Sequence, residues 1–297
     1  MRQQSANLRQ AFASNPSRFL AVASSRPVTV APLLSQNRLV QQVLTSPNSS
    51  DDAHPLAEPL RGLGLAGMAQ ALSRLDSNCS QDELSFEQWL RFLIEAEIIH
   101  RGKRQLASRL RQANLRYEAS IADVDYGAVR GFDDALFHKL ASDEWICNRE
   151  NAVIEGPTGV GKTWLACALG DKACRDGRSV RYERVPRLMA DLAAQHGTTP
   201  YSRRMRKLQD VDLLILDDWG TEPFSVSQRV EMFEVLDRRY GQRSTLIASQ
   251  LAVENWPEAI GEAATSAVLL DRVIHNAHRL QLKGRSLRDR RTLHERA

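Results

Sequence analysis

The chain has 297 residues, 42% of them hydrophobic, which is enough apolar material for one full α/β core and a smaller domain. No run of about 18 apolar residues occurs, so no membrane span is expected and the protein should be soluble. The net charge of +4 is modest, so any contact with a polyanion must come from how the charges are distributed.

Residues 1–55 are rich in Ser, Gln, Arg and Pro, and no acidic residue precedes Asp51. This composition superficially resembles a transit peptide but reads as a disordered extension, to which no function is assigned. Helical spacing follows in Leu60, Leu63, Met68, Leu72 and Leu75, and Ser85 with Gln88 makes a capping-box start ahead of Trp89, Leu90, Leu93 and Ile94. Residues 56–118 are therefore predicted to form a small all-helical domain. Its last part is one-sidedly basic: Arg101, Lys103, Arg104, Arg109, Arg111 and Arg116 occur with no acid between Glu97 and Glu118, while Leu106, Leu110 and Leu115 keep one face apolar. A solvated face would usually mix signs, so this pattern predicts contact with phosphates.

Residues 120–140 lead into an α/β core, whose first strand is expected over residues 151–155. Gly156, Pro157, Thr158, Gly159, Val160, Gly161, Lys162 and Thr163 then spell a complete G-x-x-x-x-G-K-[ST] loop, and a helix-like run begins at Trp164. Glycines let successive backbone N–H groups curl around phosphates, and the following helix presents its N-terminus to the anion. In this ATP-binding loop Lys162 would reach the β and γ phosphates, and Thr163 would ligate Mg²⁺.

A second strand is expected over residues 180–185, followed by another cationic cluster, Arg203, Arg204, Arg206 and Lys207. Neither cluster interleaves aromatics, so DNA binding through them would be backbone-directed and weakly sequence-selective. Residues 211–218 form an apolar run ending in Asp217 and Asp218, as expected of a central parallel strand delivering acids to its C-terminal edge. Asp217 is assigned to the metal, and Asp218 to orienting or deprotonating the attacking water. Paired acids also serve as turn starters. The loop lysine upstream and the intervening strand favour the catalytic reading, in an NTPase of the additional-strand class that includes RecA-like and AAA+ proteins. Further strands are expected over residues 244–250 and 278–282, with a helix carrying Arg272 between them. Cys79, Cys147, Cys167 and Cys174 form no C-x-x-C pair and read as reduced core residues of a cytoplasmic protein.

Trp145 and Ile146, then GPTGVGKTWLACALGDKACRDG, SVRYERVPRL, VDLLILDDWG, STLIASQL and LLDRVIHNAHRLQLKG make the chain resemble the IstB-type ATPases. These are helper proteins of IS21-family transposons and are themselves similar to DnaC-type helicase loaders. The likeness spans about residues 56–288, and its DDWG and HNAHR segments discriminate better than the loop. It implies an AAA+ P-loop core over residues 119–288, α/β with a parallel sheet flanked by helices. A helical domain for DNA or partner binding would precede the core, a basic tail would occupy residues 289–297, and no C-terminal lid is expected. It also implies an ATPase that uses ATP and Mg²⁺, binds double-stranded DNA as a homo-oligomer and assists the transposase of the same element.

Within that resemblance Ser249, with Gln250 as second candidate, takes the place of the γ-phosphate sensor, and Arg272 that of an arginine finger acting in a neighbouring subunit. The competing readings are a strand-end hydroxyl without nucleotide contact and a helix arginine paired with a nearby acid. Many AAA+ proteins carry Glu where Asp218 stands, and the shorter Asp implies slow hydrolysis. A DnaC-like helicase loader and a non-hydrolysing, ATP-dependent scaffold remain as alternative functions.

Overall fold

Five parallel strands build one sheet in the computed structural model, which describes residues 54–75, 85–124, 133–261, 263–284 and 286. They are β1 (Asn151–Glu155), β2 (Val180–Arg184), β3 (Leu213–Trp219), β4 (Ser244–Ser249) and β5 (Ala277–Gln281), and their order across the sheet is β2-β3-β4-β1-β5. Each expected strand is present within two residues of its predicted ends. The largest differences have local causes: β2 stops at Arg184 because Pro186 opens the next helix, and β3 runs on to Trp219 because a bulge carries it past the two acids.

The inner strands β1, β3 and β4 are buried almost throughout because both faces of the sheet are covered there, while the edge strands β2 and β5 carry charged residues. Ala152 and Ile154 face one core with Ile215, Leu246 and Leu280, while Val153 faces the other with Leu214, Leu216 and Ile247. The first core is closed by α6 (Lys162–Arg175) and by α4 (Asp134–Ala141) and α5 (Glu144–Cys147), through Leu165, Ala166, Phe137 and Trp145. The second is closed by α7 (Val185–Gln195), α8 (Thr199–Asp210), α9 (Val226–Arg239), α10 (Trp256–Ile260) and α11 (Ala263–Ile274), through Leu192, Leu208, Leu236, Trp256 and Leu269.

The chain divides into two compact units, residues 1–100 and 101–297. In the first, α1 (Ala57–Gly62) and α2 (Ala66–Leu75) accompany the start of α3 (Phe86–Ala113), with Ala71, Phe92 and Ala96 as a small core. The capping box at Ser85 is present, with both reciprocal bonds to Gln88. The buried Glu97 carboxylate accepts from Gly67 N and Met68 N at 2.7 and 3.2 Å, placing a negative charge at the N-terminus of α2. The division falls at residue 100 and not at 118, because Leu106, Leu110 and Leu115 pack against the first core of the sheet unit. The extension before residue 54, residues 125–132 of the lead-in and the tail 289–297 lie outside the described residues. Among the described residues no helix is long and apolar enough to cross a membrane.

A cation holds the N-terminal edge of the sheet. Arg239, 1% exposed, donates to the carbonyls of Leu208 (2.8 Å), Gln209 (3.2 Å), Val211 (2.8 Å) and Ser244, and to Thr245 Oγ1 (3.1 Å). Burial lowers its pKa to about 9, so it stays charged at neutral pH. It joins the end of α8 to the starts of β3 and β4. Arg239→Ala leaves these acceptors without a donor and should cost about 3–5 kcal/mol in a urea melt. A loss below about 1 kcal/mol would show that water replaces the guanidinium there.

Candidate nucleotide-binding site

The loop between β1 and α6 needs glycine for steric reasons. Gly161, the residue before α6, has φ 97°, in the left-handed region. A Cβ on Gly156 would lie 2.4 Å from the Leu282 carbonyl oxygen, because the chain leaving β5 runs against the loop. Val160 is buried in the first core, which anchors the loop from below. The Lys162 ammonium donates to the carbonyls of Gly156 and Pro157 at 2.7 and 2.8 Å. Burial lowers the pKa of Lys162, and the carboxylates of Asp217 and Asp218 oppose that shift. An anion is the partner such a half-desolvated ammonium lacks in its immediate bonds.

In the first turn of α6, the Thr163 hydroxyl lies 2.9 and 3.2 Å from the two oxygens of Asp217. The carboxylate is 1% exposed and also accepts from the Tyr182 hydroxyl at 2.6 Å. Thr163 and Asp217 thus offer Mg²⁺ hard oxygen donors side by side, the chemistry that ion prefers. Among the described residues no group of three or more His, Cys, Asp or Glu could hold a metal.

Asp218 follows in a bulge. Leu216 pairs with Ile247 and Trp219 with Ser249, so β3 carries one extra residue, and Asp218 takes φ 57°. Its carboxylate bonds Arg184 at 2.7 Å and lines a small cleft with Pro186, Thr221 and Gln228, which leaves space for water on its open side. The buried Ser249 hydroxyl donates to the Trp219 carbonyl at 2.8 Å and accepts from Leu251 N at 3.1 Å, so it clamps the bulge. Gln250 is the one that reaches the loop, accepting from Thr158 Oγ1 at 2.7 Å.

Arg272 lies elsewhere. Its carbonyl bonds the Asn151 side chain at the start of β1, the end of the strand opposite the loop. Its guanidinium donates to Asp237 at 3.0 Å and stacks over Tyr240 at 4.8 Å. Of the cationic clusters, Arg101, Lys103, Arg104 and Arg111 are exposed along α3, and Arg203, Arg206 and Lys207 along α8. Some members of the clusters have partners within the fold. Arg109 donates to the Cys174 carbonyl at the end of α6 (2.8 Å), and Arg204 bonds Asp191 (3.1 Å) and Glu183 (3.3 Å). Cys167 and Cys174 are core residues; Cys147 is exposed beside Arg178, and Cys79 lies outside the described residues.

Sequence reading missed Tyr182 and Arg184. A tyrosine and an arginine in a strand carry no signal until β2 is known to lie beside β3, which sets Arg184 opposite Asp217.

The family model for IstB-like ATP-binding proteins matches residues 58–295. The chain belongs to that family. This IstB-like protein is 53% identical over 236 residues to the putative insertion sequence ATP-binding protein y4pL of Sinorhizobium fredii, covering 80% of this chain and 96% of the relative. It is 30% identical over 235 residues to the insertion sequence IS21 putative ATP-binding protein of Pseudomonas aeruginosa, covering 79% and 89%. The crystal structure of a DNA replication initiation factor matches with TM-score 0.50 at 18% identity, over 62% of this chain and 55% of that one. That of DnaI matches with TM-score 0.48 at 21% identity, over 56% and 92%. The fold is accordingly that of the P-loop AAA+ proteins, with a helical region ahead of it.

The two sensor candidates separate experimentally. Ser249→Ala should lower stability by about 1–2 kcal/mol through the freed bulge carbonyl, whereas Gln250→Ala should leave stability alone and change nucleotide affinity. Urea melts beside titrations with a fluorescent ATP analogue distinguish them; the reverse pattern would return the sensor role to Ser249.

Proposed function

We propose that this IstB-like protein is a Mg²⁺-dependent ATPase of the cytoplasm that assembles as a homo-oligomer on double-stranded DNA and assists the transposase of its insertion sequence. The observation that carries the ATPase reading is the convergence of Lys162, Thr163, Asp217 and Asp218 on one loop, from α6 and β3. The backbone of residues 156–161 would hold the phosphates, with Lys162 as their cation and Thr163 and Asp217 as ligands of the ion. Mg²⁺, when bound, neutralises charge on the phosphates. Asp218 would orient the attacking water after exchanging its bond to Arg184 for one to that water.

Assembly is supported by the position of Arg272, near the end of β1 away from the loop of its own chain, from which it would exchange its bond to Asp237 for a neighbour's nucleotide. DNA binding is supported by the exposed cations of α3 and α8, and a transposition role by relatives whose names place them in insertion sequences.

Turnover and nucleotide binding, measured on the same variants, test the enzyme. Lys162→Ala should weaken ATP binding about 10- to 100-fold, the loss of a charged hydrogen-bonding group. Asp218→Asn should keep binding and lose hydrolysis. Arg272→Ala should also bind without turning over, and mixing it with Lys162→Ala subunits should restore activity. Wild-type turnover in Lys162→Ala overturns the assignment, and a wild-type protein that binds ATP without hydrolysing it is a scaffold.

The DNA surface is tested by salt. Neutralising Lys103, Arg104 and Arg111 together should make the slope of log affinity against log salt shallower by up to about 2.7, roughly 0.9 for each phosphate no longer neutralised. Arg109 is left out because its bond to Cys174 makes its removal a matter of stability. An unchanged slope would move the surface to Arg203, Arg206 and Lys207.

A further inference from the structure

A tyrosine within a buried strand needs a partner for its hydroxyl, and Tyr182, 4% exposed in β2, finds one in Asp217. It lies opposite Ile215 in the parallel register, two residues before Asp217 on the same face of β3, and the length of the phenol carries its oxygen forward to Asp217. The 2.6 Å bond it makes to Asp217 Oδ2 is shorter than the 2.9 Å contact from Thr163 to the same atom. A carboxylate only accepts, so the phenol donates its proton to Asp217.

We propose that Tyr182 is a positioning residue for the metal: its hydroxyl holds the Asp217 carboxylate facing Thr163 and so sets the affinity for the Mg²⁺ that accompanies ATP. The proposal rests on the reading of Thr163 and Asp217 as the metal ligands. Outer partners of this kind fix the direction of a ligand, and their removal typically costs about 10-fold or more in metal affinity. Without the phenol, Asp217 keeps Thr163 alone among these side-chain bonds, and the carboxylate must be ordered anew when the ion arrives.

The test is Mg²⁺-dependent binding of a fluorescent ATP analogue to the full chain, titrated with MgCl₂ after removal of divalent ions. Tyr182→Phe keeps the ring and removes the hydroxyl. It should raise the Mg²⁺ midpoint by about 10-fold while Mg²⁺-free nucleotide binding and the urea midpoint stay near wild type. A folded Tyr182→Phe protein whose midpoint is within about twofold of wild type overturns the proposal. If Tyr182→Phe does not fold, Tyr182→Met, which fills the space without a hydroxyl, decides, and an unchanged midpoint overturns it equally. A wild-type protein that binds the nucleotide indifferently to Mg²⁺ overturns the metal reading itself, and the proposal with it.

Discussion

A carboxylate sealed from water must be met by donors, and the core around Asp217 is arranged to meet that demand. Thr163 comes from the first turn of α6 and Tyr182 from the neighbouring strand β2, so the helix after the loop and two strands of the sheet are held to one point. The loop inherits its position from that arrangement: with α6 tied to β3 through Thr163, residues 156–161 have only the span from the end of β1 to Lys162 to cross. The same strand then delivers its second acid differently. The bulge turns Asp218 into a left-handed conformation beside Arg184, away from the buried site of Asp217, and Ser249 secures the bulge from β4.

The arginines show how one residue type divides between architecture and surface. Arg239 is enclosed by carbonyl oxygens at the edge of the sheet, where the ends of α8, β3 and β4 meet. Arg109 caps a carbonyl at the end of α6, where a cation suits the helix dipole. Arg204 is shared between Asp191 and Glu183. What distinguishes these from Lys103, Arg104, Arg203 and Arg206 is the company they keep: an arginine that faces acceptors of its own fold has little left to offer a phosphate backbone. The exposed remainder still lies along single faces of α3 and α8, the distribution that backbone-directed binding of nucleic acid requires.

Local chemistry by itself determined much of this protein. The glycine spacing and lysine of residues 156–163, the buried inner strands β1, β3 and β4 and the capping box at Ser85 are each written within a few consecutive residues, because backbone conformation and burial on both faces act over that range. The tertiary structure decided the rest. Whether Ser249 or Gln250 reaches the loop depends on a bulge in a different strand; whether Arg109 is a surface cation depends on a carbonyl 65 positions away, and whether Tyr182 matters depends on which strand lies beside β2. These are pairings between segments far apart in the chain, and no local pattern encodes them, because a hydroxyl or guanidinium acquires its role only from the acceptor that the folded sheet brings to it.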